Sequence, residues 1–185
     1  MIVIKKILVP TDFSDASAPA VAYAMSLAKN HDADLIVVHV LRTDAIKGQF
    51  TGSVVGEGVL SPAGGAPRAT GPSSLEELFE AKKQLLSRFI EQRVGAELAR
   101  PVKIKPVIRY GNVAEAILAT AKEQHCDLIV MTRQASRLSS LFRRKFTERV
   151  ARGAPCPVLF VHPGAEVTTD KDERVPLTSI NQWAA

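Results

Sequence analysis

The sequence predicts an α/β fold built on a parallel β-sheet, because two hydrophobic patterns alternate along the chain. Short, nearly continuous aliphatic runs, typical of strands covered on both faces, alternate with longer segments whose apolar residues recur at helical spacing. Five strands separated by four helices give the order βαβαβαβαβ, in which helical crossovers make neighbouring strands parallel. The 185 residues, 46% of them hydrophobic, suffice for one domain with appendages.

The first strand–helix–strand unit is the clearest. Lys6–Val9 is a short apolar strand, and Ala33–Val40 is a longer aliphatic one. Between them, Ser14–Asn30 has apolar residues at helical spacing, and either Ser14 or Ser17 is suited to cap the helix at its N-terminus.

A long segment without periodicity follows. Thr43–Pro72 contains seven of the chain's eleven glycines and few charges. Long loops inside compact domains are usually functional or disordered, so we predict a mobile insertion here. The alternative is that its apolar stretch Gly52–Leu60 orders as a hairpin or against a partner.

The second half of the chain continues the alternation. Overlapping capping-box patterns at Ser73–Glu77 predict a long helix that reaches about Leu98. A proline in the next strand, Pro106, favours an edge position in the sheet. The remaining predicted elements are strand Val102–Arg109, helix Gly111–Gln124, strand Asp127–Met131, helix Phe146–Arg152, strand Pro157–Val161 and a polar tail, Gly164–Ala185.

The positive charge of the chain is concentrated in one segment. Between Arg133 and Arg152 there are seven basic residues against the single acid Glu148, so this segment exceeds the whole chain's net charge of +5. A local patch of this kind is typical of a solvated loop or of a site for a phosphate or other anion, and nucleic acid is the least favoured partner. The candidate anion-binding residues are Arg143, Arg144 and Lys145.

Several classes of function lack their sequence signals. No apolar run reaches the roughly 18–20 residues of a membrane span, and lysines interrupt the apolar N-terminus, so a cytoplasmic protein is expected. The two cysteines and four histidines have no metal-ligand spacing, and His39 is interpreted as a satisfied strand histidine. Walker, GxSxG, CxxC and HxGH patterns are absent, and we therefore predict a protein that is not an enzyme.

Three blocks of the sequence resemble the universal stress protein (UspA) family. These are KKILVPTDFSDASAPAVAYAMSLAKNHDADLIVVHV, YGNVAEAILATAKEQHCDLIVMT and TERVARGAPCPVLFVHP. The resemblance implies an open five-stranded parallel sheet in the order 3-2-1-4-5 with helices on both faces, the UspA-like or adenine nucleotide alpha hydrolase-like fold. It implies a universal stress protein domain at 1–163, a tail at 164–185, and a homodimer formed through Pro157–Val161.

The resemblance also implies a nucleotide site, because many family members bind ATP. Asp12 matches an aspartate that usually meets the adenosine, and Val40 and Met131 match residues at the ends of two other strands. These positions lie at the topological switch point, where open α/β sheets bind ligands. Asp12 could equally be a turn or helix cap. The candidate nucleotide-binding residues are Pro10, Thr11, Asp12, Val40, Met131 and Thr132.

The phosphate-binding half of the pattern differs from that of ATP-binding members. Ala135, Leu138, Arg144 and Lys145 lie at or near the places where those members have glycine or serine. Glycine permits a close backbone approach to phosphate oxygens, which larger side chains obstruct. We therefore expect a stress-response or signalling domain with a remodelled pocket that binds ATP with a dissociation constant of about 0.1 mM or weaker. The alternatives are ATP binding through the arginines, or a nucleotide hydrolase.

The implied strand order also makes strands 4 and 5 neighbours. Cys126 and Cys156 each precede one of these strands, so we expect the two thiols to lie near each other. In a reducing compartment both should remain free.

Overall fold

The structure is a computed structural model that describes residues 2–42, 74–93, 102–132, 140–162, 164, 166–168 and 174–176. In the helix that begins at residue 140, side chains are described from residue 146 onward. The predicted insertion Thr43–Pro72 lies outside the described residues.

The main sheet has five parallel strands in the order β3-β2-β1-β4-β5, which confirms the predicted topology. Pro106 lies in β3 at one edge of the sheet, as its missing N–H predicts. The strands are β1 (Lys6–Pro10), β2 (Asp34–Arg42), β3 (Ile104–Gly111), β4 (Leu128–Thr132) and β5 (Val158–Val161).

Within the described residues, four helices cover the two faces of this sheet. One face packs against α1 (Ala18–His31) and α2 (Leu75–Arg93), and the other packs against α3 (Val113–Glu123) and α4 (Ser140–Gly153). Each face forms its own hydrophobic core. Within the described ranges, no helix is both long and apolar enough to cross a bilayer.

The central strand β1 contributes to both cores. Ile7 and Val9 point toward α1 and α2, whereas Leu8 points toward α3, and all three are fully buried. This alternation follows from the two-residue period of a strand. Burial on both faces explains why the strand sequence is continuously apolar.

The first helix begins at Ala18, which matches the second of the two predicted N-cap candidates, Ser17, and not the first, Ser14. The Ser14 carbonyl accepts hydrogen bonds from the Ser17 N–H and hydroxyl, at 3.0 and 2.8 Å, so this segment forms a turn. Ser17 holds the N-cap position, but its side chain does not cap the helix. Pro19 lies in the first helical turn, where its missing N–H removes no helical hydrogen bond.

The last helix starts earlier than predicted. It begins at Ser140, six residues before Phe146, and no glycine or proline interrupts it before Gly153. The prediction that Arg143, Arg144 and Lys145 lie in a loop is therefore wrong, because all three are helical. The start of this helix is rich in polar and basic residues, so it lacks the apolar period by which the other helices are recognised.

The predicted tail contains regular structure. Two short strands, β6 (Glu166–Thr168) and β7 (Arg174–Pro176), pair antiparallel with Val167 opposite Val175. Three-residue strands offer too little periodicity to be recognised from sequence.

Two adjacent leucines in α2 test which face of this helix is buried. Leu86 is 0% exposed in the core, whereas Leu85 is 46% exposed. We expect Leu86→Ala to lower the free energy of unfolding by about 2–5 kcal/mol, because a cavity replaces the buried side chain. The matched control Leu85→Ala should change it by about 0.5 kcal/mol or less. Urea denaturation of both variants measures the difference, and equal losses would contradict the placement of α2.

Candidate functional site

The carboxyl ends of β1, β2 and β4 lie side by side in the sheet. After β1 the chain enters α1 on one face, and after β4 it enters α4 on the opposite face. The chain therefore leaves β1 and β4 toward opposite faces at a topological switch point, where open α/β sheets usually form a ligand-binding crevice. The candidate residues Pro10, Val40, Met131 and Thr132 lie in the last three residues of these strands.

Asp12 follows β1 and is exposed at this edge. Its Oδ1 accepts hydrogen bonds from the N–H and the hydroxyl of Ser14, at 3.1 and 2.5 Å. Partial burial alone would raise the pKa of Asp12, but the hydrogen bonds to its carboxylate, chiefly those from Ser14, outweigh burial, and the pKa lies below its ordinary value of 3.8. Asp12 is therefore ionised at neutral pH, and its stabilising effect is present above 3.8 and is lost as pH falls through the lowered pKa.

Thr11 anchors the turn that contains Asp12. Its N–H donates to the Val38 carbonyl at 2.9 Å, which ties the turn to β2. Its Oγ1 accepts from the Phe13 N–H at 3.1 Å and bonds the Ser17 Oγ at 2.9 Å. Because the single Ser17 hydroxyl proton goes to the Ser14 carbonyl, Thr11 is the donor in this buried pair.

His39 of β2 contacts the same turn. Its Nδ1 lies 2.9 Å from the Thr11 carbonyl, so Nδ1 carries the proton and donates it. Its ring lies 4.1 Å from the Phe13 ring, centroid to centroid, and Phe13 in turn contacts Phe89 of α2 edge-on at 5.7 Å. These contacts are compatible with the interpretation of His39 as a strand histidine whose hydrogen bonding is satisfied. The residues that it contacts, Thr11 and Phe13, belong to the candidate site.

The pKa of His39 lies below its ordinary value of 6.5. Burial is the largest cause and lowers the pKa; the Thr11 carbonyl raises it, Lys82 lowers it, and Asp12 raises it. The unfolded chain therefore takes up this proton first as the pH falls. The stability that the neutral ring contributes is present above pH 6.5 and is lost as pH falls toward the lowered pKa.

Val40 and Met131 lie at this edge on the side of the sheet that α3 covers. Both side chains belong to the core beneath α3 and α4 and are buried. Thr132, which ends β4, has a buried Oγ1 without a hydrogen-bond partner, and no other such side-chain atom occurs in the part of the chain that the structure describes. Buried hydroxyls are usually paired, so this atom is available to a ligand or water.

The structure brings the candidate residues at the strand ends together at one edge of the sheet. It does not test the candidate anion site. Arg143, Arg144 and Lys145 have helical backbones in α4, and their side chains lie outside the described residues. The glycine-replacing positions Ala135 and Leu138 also lie outside the described residues.

Lys82 of α2 is a residue near the site that sequence reasoning missed. It lies one turn from both Leu78 and Leu86 on the buried stripe of the helix, and its charge acts on His39. On either side of it, Phe79 contacts Tyr110 at the end of β3, and Phe89 contacts Phe13 after β1. Since β2 lies between β3 and β1, Lys82 lies over the end of β2. Its position on the apolar stripe of α2 is the sequence signal that could have identified it.

The cysteines lie away from this edge, before β4 and β5. Both are free thiols, and both pack in the core beneath α3 and α4. Burial, followed by the charge of Cys156, raises the pKa of Cys126 to about 11, so its thiol stays protonated at neutral pH. Across the described ranges, no cluster of three or more His, Cys, Asp or Glu side chains could hold a metal ion.

Two threonines with buried hydroxyls test the unpaired hydroxyl of Thr132. The Thr120 hydroxyl donates to the Ala116 carbonyl at 2.7 Å and accepts from Arg109 Nε at 3.2 Å, whereas Thr132 Oγ1 has no partner. We expect Thr132→Val to preserve or raise the free energy of unfolding, because it removes an unsatisfied polar atom. The control Thr120→Val should lower it by about 1–3 kcal/mol. Thermal and urea denaturation measure both; a large loss in Thr132→Val would show that Thr132 has a hydrogen-bond partner.

Comparison with known sequences identifies the family. A sequence model of the Universal stress protein family matches residues 4–162. The universal stress protein MJ0531 of Methanocaldococcus jannaschii is 31% identical over 158 residues, which cover 85% of this chain and 81% of that protein. A universal stress protein of Thermus aquaticus, from the QAH/OAS sulfhydrylase 3′ region, is 34% identical over 161 residues and covers 85% and 98%.

Solved structures share the fold. Protein MJ0577 superposes with a TM-score of 0.61 at 22% identity, over 87% of this chain and 97% of its own. UspA of Lactobacillus plantarum gives 0.58 at 24% identity, over 87% and 99%. A universal stress protein in complex with cAMP gives 0.51 at 20% identity, over 87% and 98%. With a family match over residues 4–162 and this shared fold, the chain belongs to the universal stress protein family.

Proposed function

We propose that this chain is a stress-response or signalling module that binds an adenine nucleotide in the crevice at the ends of β1, β2 and β4. The ligand is held without chemical conversion. The observation that carries the proposal is the ionised, exposed Asp12, which Ser14 fixes at the end of β1. A fixed carboxylate accepts hydrogen bonds from the amino group of adenine or from ribose hydroxyls.

The walls of the crevice also favour this class of ligand. Val40, which is 9% exposed, and the more deeply buried Met131 give the crevice an apolar side, and the unpaired Thr132 hydroxyl at the end of β4 offers a hydrogen bond. Apolar walls with a few placed polar groups are typical of small-molecule sites. The structural neighbour in complex with cAMP is consistent with an adenine nucleotide as the ligand.

The backbone of α4 favours a ligand with a short phosphate group over ATP. The helix begins at Ser140, so the N–H groups of Arg144 and Lys145 lie beyond its first four residues and bond within the helix. They cannot turn toward phosphate oxygens as a glycine loop does. Binding of ATP through the arginine side chains remains the alternative, and hydrolysis of the nucleotide is a weaker one.

Assembly through β5 is the second part of the proposal. β5 lies at the edge of the sheet and pairs with β4 on one side, and its other side has no partner strand within the described chain. Val158, Leu159 and Phe160 are only partly buried. An unpaired apolar edge favours pairing with a second copy of the chain.

Calorimetric titrations test the nucleotide site. We expect AMP and cAMP to bind more tightly than ATP, whose dissociation constant should be about 0.1 mM or weaker. Asp12→Asn preserves an acceptor for Ser14 but removes the charge, and a lost charged hydrogen bond should weaken binding about tenfold or more.

Asp15→Asn, which changes an exposed carboxylate in the same segment, is the control and should bind as the wild type does. Low-micromolar ATP binding would instead favour the arginine alternative. Nucleotide turnover that disappears in Asp12→Ala would favour a hydrolase.

Sedimentation analysis tests the assembly. Leu159→Lys places a charge in the β5 edge and should convert a dimer to a monomer at micromolar concentration, because burial of the charge opposes pairing. Tyr110→Lys changes an exposed side chain at the opposite edge of the sheet and should leave the dimer intact. A wild-type monomer under the same conditions would rule out this interface.

A further inference from the structure

We propose that His39 is a positioning residue that orients Asp12 toward the ligand by holding the residues on either side of it. The inference rests on the proposed nucleotide site for its functional meaning. The geometry from which it is argued concerns only how Asp12 is held. One imidazole ring contacts both Thr11 and Phe13, and Asp12 lies between them.

The bond to Thr11 fixes the chain before Asp12. The Thr11 N–H already donates to Val38, and its carbonyl accepts from His39 Nδ1 at 2.9 Å. Both polar groups of the Thr11 backbone are therefore tied to β2, so its peptide planes cannot rotate freely. The direction in which the chain continues into Asp12 follows from these two bonds.

The ring contact fixes the chain after Asp12. Phe13 has a φ of 65°, in the left-handed region that bulky residues disfavour. Such a conformation persists only where the surroundings hold it. The His39 and Phe89 rings, at 4.1 and 5.7 Å, pack against the Phe13 ring and hold it in place. This conformation brings the Ser14 N–H and hydroxyl onto Asp12 Oδ1.

Burial, helped by Lys82, keeps the His39 ring in the neutral form that this role requires. The charged groups that act on His39 are Lys82 from α2 and Asp12 from the turn, and the Thr11 carbonyl is its polar partner. With Nδ1 as the donor to that carbonyl, the neutral ring has its lone pair on Nε2. A neutral ring at physiological pH adds no positive charge that would compete with the ligand for the Asp12 carboxylate.

Two substitutions of similar polarity separate the effect of losing the Nδ1 hydrogen bond from the effect of losing the ring. The amide nitrogen of asparagine is bonded to Cγ, as Nδ1 is in histidine, so His39→Asn preserves a donor for the Thr11 carbonyl. His39→Gln carries its donor one bond further out, at the position of Nε2. Both variants remove the ring, and only the second also removes the donor at Nδ1. Val37→Ala, two residues earlier on the same face of β2, controls for a general loss of stability.

The first readout is the Asp12 carboxyl pKa, measured by carbon-detected NMR titration of the ligand-free protein. In His39→Gln the pKa should rise toward its ordinary value, because the Ser14 bonds loosen. In His39→Asn, which loses the ring but retains the donor, it should rise less, and in Val37→Ala it should remain close to the wild type. Equal Asp12 pKa values in the wild type and His39→Gln, or in the Asn and Gln variants, would overturn the proposal. If His39→Gln does not fold, His39→Phe takes its place with the same expected result, because it preserves an aromatic ring in the core.

The second readout is AMP affinity. His39→Gln should weaken AMP binding about tenfold, as expected for one lost charged hydrogen bond, and His39→Asn should weaken it less, because it retains the donor to Thr11. If the Asp12 pKa shifts as expected but the wild type binds no AMP, cAMP or ATP, the proposed function fails while the positioning role stands. If the wild type binds and His39→Gln binds equally well, the positioning role fails while the nucleotide site stands.

Discussion

The hydrogen bonding of β1 on both of its sides is the constraint on which the rest of the molecule depends. β1 pairs with β2 through five residues and with β4 through Ile7 and Leu8. With both edges paired and both faces buried, this strand has no freedom to shift or tilt. The Thr11 N–H extends the pairing beyond the last strand residue by its bond to Val38. The turn that follows is therefore anchored to a strand that is paired on both sides. This anchoring restricts the position of the Asp12 backbone.

The elements with strong hydrophobic periods could be predicted from the sequence, and those defined by local polar contacts could not. The core strands and α1–α3 are marked by aliphatic runs or apolar stripes that only burial explains. The start of α1 follows a local turn in which the Ser17 hydroxyl donates to the Ser14 carbonyl, and hydrogen bonds of this kind leave no period in the sequence. The start of α4 falls in a polar, arginine-rich segment where no apolar period marks the helix.

The candidate site divides in the same way. Asp12, Val40 and Met131 follow from strand ends, because parallel strands bring their carboxyl ends to one edge. Phe13 gives no such signal, since nothing in its residue type announces a left-handed backbone. Lys82 reaches the site from α2, which the chain enters only after a long connection, so its position in space is unrelated to its separation in sequence from Asp12. Residues of this kind become visible only when the crossover is placed in three dimensions.

The junction between β3 and α3 limits how far the crevice can extend. A single residue, Asn112, separates the two elements, and its Oδ1 accepts from the N–H groups of Ala114 and Glu115 at 3.1 and 3.3 Å. Gly111, with a φ of 117°, turns the chain so sharply that no loop rises above the sheet there. Seven residues separate β1 from α1, and seven separate β4 from α4. Variation in the length and composition of these two connections can therefore reshape this edge of the sheet during evolution, while the β3 side stays fixed.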